Sequence, residues 1–384
     1  MTHDRAEENM YACWLDTIYW LTSKAKYVLL KAAGCVQAIY NMTEEQVTDL
    51  IGIKGCGQLM QQKKRYTPQK VWNYMESLGI KHTYCSAPNF PPKLAQIPDP
   101  PFGIFYKGEL PEASIPAVAI IGARKCSEYG RCMAEHFATA FARRGVNIIS
   151  GMALGIDGIS QQAALKAGGK SYGVLGCGVD TIYPKSNEEL YRQLIMQGGI
   201  LSEYPPGIEP RPALFPPRNR IISALSDVVL VVEAREKSGT LITVDMALEQ
   251  GREVYAVPGR CSDSLSKGCN ELLRQGAGVA SEPDDIINDM MWEEVLSAKA
   301  EKTERKETLG KTKYNLSKVA KEVYEILDIL PITQNTIVMK LREEKKSSYT
   351  VPQICNGLVE LELKGLAVRQ NGQYRLSSSA IDSF

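Results

Sequence analysis

The sequence predicts an α/β protein: a doubly wound, mostly parallel sheet with helices on both faces, a small helical domain before it and a winged-helix domain after it. Three observations carry this. Between residues 117 and 257 short apolar runs alternate with helical stretches, and runs such as "DVVLVVEA" are apolar on both faces, as a buried parallel sheet requires. Residues 8 to 85 repeat apolar residues at helical spacing, without strand-like alternation. Beyond a charged stretch at 291–314 the chain reads as three helices and a hairpin.

In the first domain, 1–85, "YACWLDTIYWL" and "AKYVLLKAAG" are helical, and Thr43 is placed to cap the helix of "MTEEQVTDLIG". "LIGIKGCG" has the look of a helix-hairpin-helix turn, whose amides can hold one phosphate, but a single motif of this kind is weak and an ordinary glycine turn between packed helices is the favoured reading. The central domain, 86–290, opens with the proline-rich "NFPPKLAQIPDPPFGIFYKG" and continues in strands at 117–121, 146–149, 171–175, 200–202, 227–233 and 253–257. Helices are expected at 128–144, with Ser127 as N-cap, and near 158–167. Residues 291–314 are charged, nearly lack large apolar side chains and read as a linker. In the last domain, 315–384, Val319, Val323, Ile326, Leu327 and Leu330 share one helical face, and Asn371-Gly372 makes a hairpin turn.

Composition excludes several classes. The chain has 384 residues, 44% of them hydrophobic, which is ample for a sizeable core. No apolar run approaches the roughly 18 residues of a membrane span, and "MTHDRAEENM" lacks the apolar region of a signal peptide, so a cytoplasmic location without membrane contact is expected. Ten cysteines include no C-x-x-C, and only three histidines are present, so neither a metal site nor a disulfide framework is expected. With 45 basic and 44 acidic residues, any polyanion site must be a local patch.

Ligands of open α/β sheets bind beyond the carboxyl ends of the strands. There the chain has "IGARKCSEYG", "SGMALGIDG", "LGCGVD", "EAREKSGTL" and "VPGR", all glycine-bearing. Gly122, Gly151, Gly155, Gly176, Gly178 and Gly239 let backbone approach a ligand, and amides with helix N-termini behind them form an anion-binding rim. A dinucleotide is disfavoured, because Arg124 interrupts G-x-G-x-x-G and no acid follows the second strand. "ALKAGGKS" follows a helix and precedes a strand, the reverse of a P-loop, and is read as a helix end. His136, Asp157, Asp180 and Glu233 fall on separate segments and form no catalytic set. Basic residues cluster in "PRPALFPPRNRIISALS", where Arg211, Arg218 and Arg220 can grip phosphate and Phe215 can stack on a base. Alternatively, Asn219 and Arg220 pin the loop to the sheet and Phe215 belongs to the core.

Read in order, "IIGARKCSEYG", "SGMALGID", "VLGCGVDTIYP", "GGILSEYPPG", "FPPRNRIISALS", "VVEAREKSGTLITVDMALEQGREVYAVPG" and "GCNELLRQGA" resemble the DNA-processing protein A (DprA/Smf) family over residues 85 to 280. The resemblance implies an extended Rossmann-like domain that binds single-stranded DNA, forms a homodimer and hands the strand to RecA recombinase during natural transformation. It also implies a helical SAM-like or helix-hairpin-helix-like N-terminal module, and no cofactor. The DNA contacts it implies are Arg124, the glycine loops, Arg218 and Arg220; Asn219 and Ser238-Gly239-Thr240, in the same segments, complete the expected site. The chain departs from the family pattern at Ala123, often serine, and at Ser160 and Gln161, where an alanine-histidine pair is usual. A phosphoribohydrolase of the lysine-decarboxylase-like class is the alternative, but Thr243 stands where its PGGxGTxxE signature places the catalytic glutamate. A sequence-specific regulator is disfavoured because the expected reader helix, "VPQICNGLVELELKG", carries Glu360 and Glu362 against Lys364.

Overall fold

A computed structural model describes residues 2–296, 316–328, 331–343, 347, 349–370 and 372–377. Its centre is a nine-stranded sheet. The strands are β1 (Lys81–Tyr84), β2 (Gly103–Gly108), β3 (Ala117–Ile121), β4 (Asn147–Ser150), β5 (Ser171–Val174), β6 (Gly198–Ser202), β7 (Val228–Val231), β8 (Glu253–Ala256) and β9 (Gly278–Val279). They lie in the order β1-β2-β6-β5-β4-β3-β7-β8-β9. All pairs from β6 to β9 are parallel, while β2 runs antiparallel to both β1 and β6. The sheet is Rossmann-like, and its winding reverses between β3 and β7.

Strand side chains alternate between two apolar layers. Val118, Ile120, Ile148 and Leu230 pack with Phe137 and Phe141 of the helix Glu128–Arg143. Ala119, Ile121, Ile149 and Val231 pack with Ile221 and Ile222 of the helix Phe215–Leu225 and Val244 of the helix Gly239–Glu249. The layer above the first face also takes in Ile286, Ile287 and Trp292. Trp292 is buried, its carbonyl accepts from the Leu296 amide, and Leu296 packs against the same layer, so the core reaches two residues of the stretch expected as linker from 291. Residues 297–314 lie outside the described residues.

The first helices run Thr2–Asp16, Ser23–Ala33, Val36–Asn41, Glu44–Arg65 and Pro68–Ser77. Thr43 accepts from the Gln46 amide in a reciprocal capping box, as its position predicts. Within "LIGIKGCG", Gly52 at φ 78 breaks the helix Glu44–Arg65 into two. Leu15, Leu29 and Leu59 of these helices share one core with Phe102 and Phe105. The sequence boundary at 85 groups Lys81–Tyr84 with the helices; the hydrogen bonds make it the edge strand of the sheet.

A buried charge cluster fastens the two parts. Asp16 accepts from Lys26 Nζ at 2.7 Å and meets His82 Nε2 at 3.0 Å, and all three residues are buried. Burial pushes the Asp16 pKa up, but the Lys26 ammonium and the His82 ring together hold it below the ordinary 3.8. A carboxylate with a depressed folded pKa adds stability above its unfolded pKa and loses it as pH falls through the folded one. Asp16→Asn is therefore expected to lower unfolding free energy by about 3 kcal/mol at neutral pH. In urea melts at stepped pH the gap from wild type should shrink below about pH 3.8; a gap that widens there would contradict this sign.

At the C-terminal end, the helices Lys318–Ile326, Gln334–Glu343 and Val351–Leu363 accompany a three-stranded antiparallel sheet. Its strands are β10 (Ile332–Thr333), β11 (Ala367–Gln370) and β12 (Gln373–Leu376), ordered β10-β12-β11. Val323, Ile326, Leu327, Leu358 and Leu361 form their core, with Val319 packed against it. Leu330 and Asn371 lie outside the described residues. No helix among the described residues is long and apolar enough to cross a membrane.

Candidate functional site

Where the winding reverses, a cleft of about 640 Å³ opens at the carboxyl ends of β3 and β7. The loop after β3 supplies Gly122 and Arg124, the loop after β7 supplies Ser238, Gly239 and Thr240, and the helix Phe215–Leu225 supplies Phe215, Arg218 and Asn219. Gly151 and Gly176 line a smaller pocket beside it, which shares Arg124, Phe215 and Arg218.

Most of the glycines are also closely packed on the side where a Cβ would stand. A Cβ on Gly122 would lie 2.7 Å from Ile156, and one on Gly151 2.7 Å from Arg218 Nη2. At Gly176 it would lie 2.7 Å from the Phe215 ring, and at Gly178 2.8 Å from the Pro205 carbonyl. Gly155, at φ +76, fits against the Arg124 carbonyl, and the Ile156 amide donates to Ala123 O at 3.3 Å. These glycines let loop pack on loop, and Arg124 stands on the packed pair. At Gly239 alone among the predicted positions nothing stands within 4 Å of a Cβ.

Helix N-termini are filled in the same selective way. Ser127 caps the helix Glu128–Arg143 as expected, but Ser127 N donates to Glu233 Oε2 at 2.9 Å and Ser127 Oγ to Glu233 Oε1. A buried carboxylate thus occupies that anion site. The helix Phe215–Leu225 begins with Pro216 and Pro217, which have no N–H to offer. The helix Gly239–Glu249 differs: Ser238 makes no side-chain cap, and its Oγ is a buried atom without a hydrogen-bond partner. Its first residues, Gly239 and Thr240, line the cleft, and the unpaired amides of a helix start are a place where an anion can bind.

The arginines divide sharply. Arg124 is exposed, has no ion-pair partner among the described residues and lies 5.7 Å over the Phe215 ring. Arg218 covers the ring at 5.8 Å. It is only 5% exposed: Nη1 donates to Gly151 O at 2.9 Å and to Val174 O, and Nε to Asn219 Oδ1 at 3.2 Å. Burial lowers the Arg218 pKa to about 10, against the pull of Asp157, whose own pKa burial raises. Arg220, 8% exposed, is spent on Asp99 at 3.1 Å and Glu203 at 2.7 Å and lines neither pocket. Arg211 is exposed in the preceding loop, outside both pockets. Arg218 and Arg220 thus stand on a helix rather than in a loop and are both buried; Arg218 lines the cleft, and Arg220 ties its helix to Asp99 and to Glu203 after β6.

Phe215 is a half-buried platform, with Tyr183 at 5.6 Å and a 32° tilt. Tyr183, 42% exposed, was missed as a site residue, as were the exposed cleft residues Lys125 and Arg235. Lys125 is adjacent to Arg124 and Tyr183 follows a glycine loop, signals that sequence reading could have used. Gln161 accepts from Met152 N at 3.1 Å and donates to Tyr172 O at 3.1 Å, a bracing role.

The cleft offers exposed cations on its rim, a flat aromatic pair within and a helix N-terminus whose N-cap side chain makes no capping bond. That combination holds phosphates and flat rings. Thr243 is buried in its wall, Asp157 accepts from the Gly151 amide at 3.1 Å, and no group of three or more metal-binding side chains gathers among the described residues.

Comparison with known proteins matches residues 81–291 to the model of a family described as DNA recombination-mediator protein A. Protein Smf of Escherichia coli is 44% identical over 204 residues, 53% of this chain and 54% of that protein. DNA processing protein DprA of Streptococcus pneumoniae is 42% identical over 198 residues, 52% of this chain and 70% of that protein. The X-ray structure of DprA from Streptococcus pneumoniae superposes with a TM-score of 0.62 at 32% identity, covering 70% of this chain and 93% of that one. The match thus spans about half the length of the Escherichia coli relative.

Proposed function

The chain belongs to the DNA recombination-mediator protein A family, and from that premise we propose that its cleft binds single-stranded DNA without reading sequence. In this reading Arg124, Lys125 and Arg235 meet phosphates, the amides at Gly239 and Thr240 hold another, and bases stack at Tyr183 and Phe215. One observation carries it: the Arg124–Phe215–Arg218 stack with Tyr183 beside it, in the same cleft as the open N-terminus of Gly239–Glu249. A paired duplex cannot present its bases to such a platform, whereas an unpaired strand can.

We read the protein further as one that protects incoming single strands and loads RecA on them in the cytoplasm during natural transformation, as a homodimer through the sheet domain. The helices before the sheet are read as a SAM-like or helix-hairpin-helix-like module. The C-terminal helices and strands are read as a winged-helix domain that serves protein contact. No enzymatic step is part of this reading, because Thr243, buried in the cleft wall, has neither the charge nor the reach of a catalytic carboxylate.

The test compares single-stranded with duplex oligonucleotide of one sequence across a salt series, with the mass of each complex measured. Single strands are expected to bind at least tenfold more tightly, with log K falling steeply as log salt rises. Equal affinity for duplex contradicts the reading. Release of free base from a nucleoside monophosphate would restore the phosphoribohydrolase alternative.

A further inference from the structure

Helices Thr2–Asp16 and Ser23–Ala33 are joined by a short loop that presents two aromatic rings. Trp20 is 66% exposed, and its ring lies 4.3 Å from that of Tyr19. The loop is held rather than loose. Ile18 and Leu21 are buried on either side, the Leu21 amide donates to Ile18 O at 3.0 Å, and Gln62 Nε2 donates to Thr17 Oγ1 at 2.8 Å. Next to it, Ser23 Oγ donates to Glu203 Oε1 at 3.0 Å and accepts from the Phe102 amide at 3.3 Å.

Those partners fix where the tip stands. β2 runs antiparallel to β6 with Phe105 opposite Ser202, so Phe102 lies level with the residues that follow β6, at the carboxyl edge of the parallel strands. Tyr19 meets the Tyr204 ring edge-on at 5.9 Å, and the Tyr204 hydroxyl donates to Leu214 O at 3.2 Å, the residue before Phe215. β6 lies three strands from β3 in the sheet order, about 14 Å at the usual strand spacing. The aromatic tip and the cleft therefore occupy one edge of the sheet, with Tyr204, Leu214 and Phe215 in contact between them.

The charges around the tip do not favour phosphate. Glu203 and Asp99 both pair with Arg220, and Lys24, Glu209 and Arg211 are exposed on the stretches of chain that follow the tip and β6, so three acids stand against three bases. A flat apolar ring beside balanced charge suits an unpaired base rather than its backbone. We propose that the Tyr19–Trp20 tip is a second, base-stacking contact for single-stranded nucleic acid that leaves the cleft on the β6 side. The proposal rests on the single-strand reading of the cleft, and adds to it a contact from outside the sheet domain.

The full chain is titrated with oligo-dT of about 6 and about 20 nucleotides, lengths that bracket a cleft-only and a cleft-to-tip track. Trp20→Ala is expected to bind the short strand like wild type and the long strand about tenfold more weakly, with an unchanged salt slope. Trp20→Phe is expected to keep most of the long-strand affinity. Trp20→Ala binding the long strand like wild type, while wild type binds it well, overturns this proposal alone and leaves the tip as a protein-facing surface. A shallower salt slope in Trp20→Ala also overturns it, because stacking releases no counterions. Wild type binding neither strand overturns the cleft reading, and this proposal with it.

Discussion

Arg124→Ala is expected to bind single-stranded DNA about tenfold more weakly than wild type, with a salt slope shallower by about one and an unchanged Tm. The size follows from one charge-assisted contact, about 1.5 kcal/mol, and one fewer counterion released. The unchanged Tm follows from the structure: Arg124 is exposed, and its described contact within the chain is the Phe215 ring at 5.7 Å. The backbone beneath it is set by Gly155 and Ile156, which the substitution leaves in place. Arg124→Lys should keep the salt slope while losing part of the affinity, since an ammonium retains charge but not the planar stack. Wild-type affinity and slope in Arg124→Ala would remove this residue from the site.

Arg218→Ala should behave in the opposite way, losing stability by about 3–5 kcal/mol, a drop in Tm on the order of 10 °C. The guanidinium closes the carbonyls of Gly151 and Val174 and faces the buried Asp157. Without it two acceptors lose their donor and an acid remains in an apolar setting, where burial already raises its pKa. The ends of β4 and β5 are thereby released, together with the floor of the smaller pocket. Binding should fall as well, but in proportion to the loss of folded protein and with the slope of the folded remainder intact. A urea melt matching wild type would show that the buried contacts of Arg218 contribute little. Measured together, the two variants separate a side chain that meets the strand from one that holds the site in shape.

That separation was not legible in the sequence. Arg218 and Arg220 are two residues apart, and at about 100° per residue they leave their helix on nearly opposite sides. One reaches the loops after β4 and β5, the other reaches Asp99 and Glu203, and neither partner set is near in sequence. The glycine loops are ambiguous in sequence for a related reason. A glycine is demanded wherever backbone comes close to something, and the chain alone does not say whether that is a ligand or another loop. At Gly122, Gly151, Gly155, Gly176 and Gly178 it is the protein itself; at Gly239 the space is open.

What the sequence determined by itself is what depends on near neighbours. Strands such as Val228–Val231 follow from apolar runs too short for a helix and too continuous for a solvated face. The starts of Glu44–Arg65 and Glu128–Arg143 follow from Thr43 and Ser127, because an N-cap acts on amides two or three residues away. The family follows from motifs carried in order along one stretch of chain, which the match over residues 81–291 bears out. Tertiary structure decided the rest. It made Lys81–Tyr84 an edge strand, set Glu233 over a helix start that a ligand was expected to fill, and stacked Tyr183, Phe215 and Arg124 around one cleft. Those outcomes depend on which residues meet across the fold, and burial and charge pairing between distant segments are fixed only when the chain is folded.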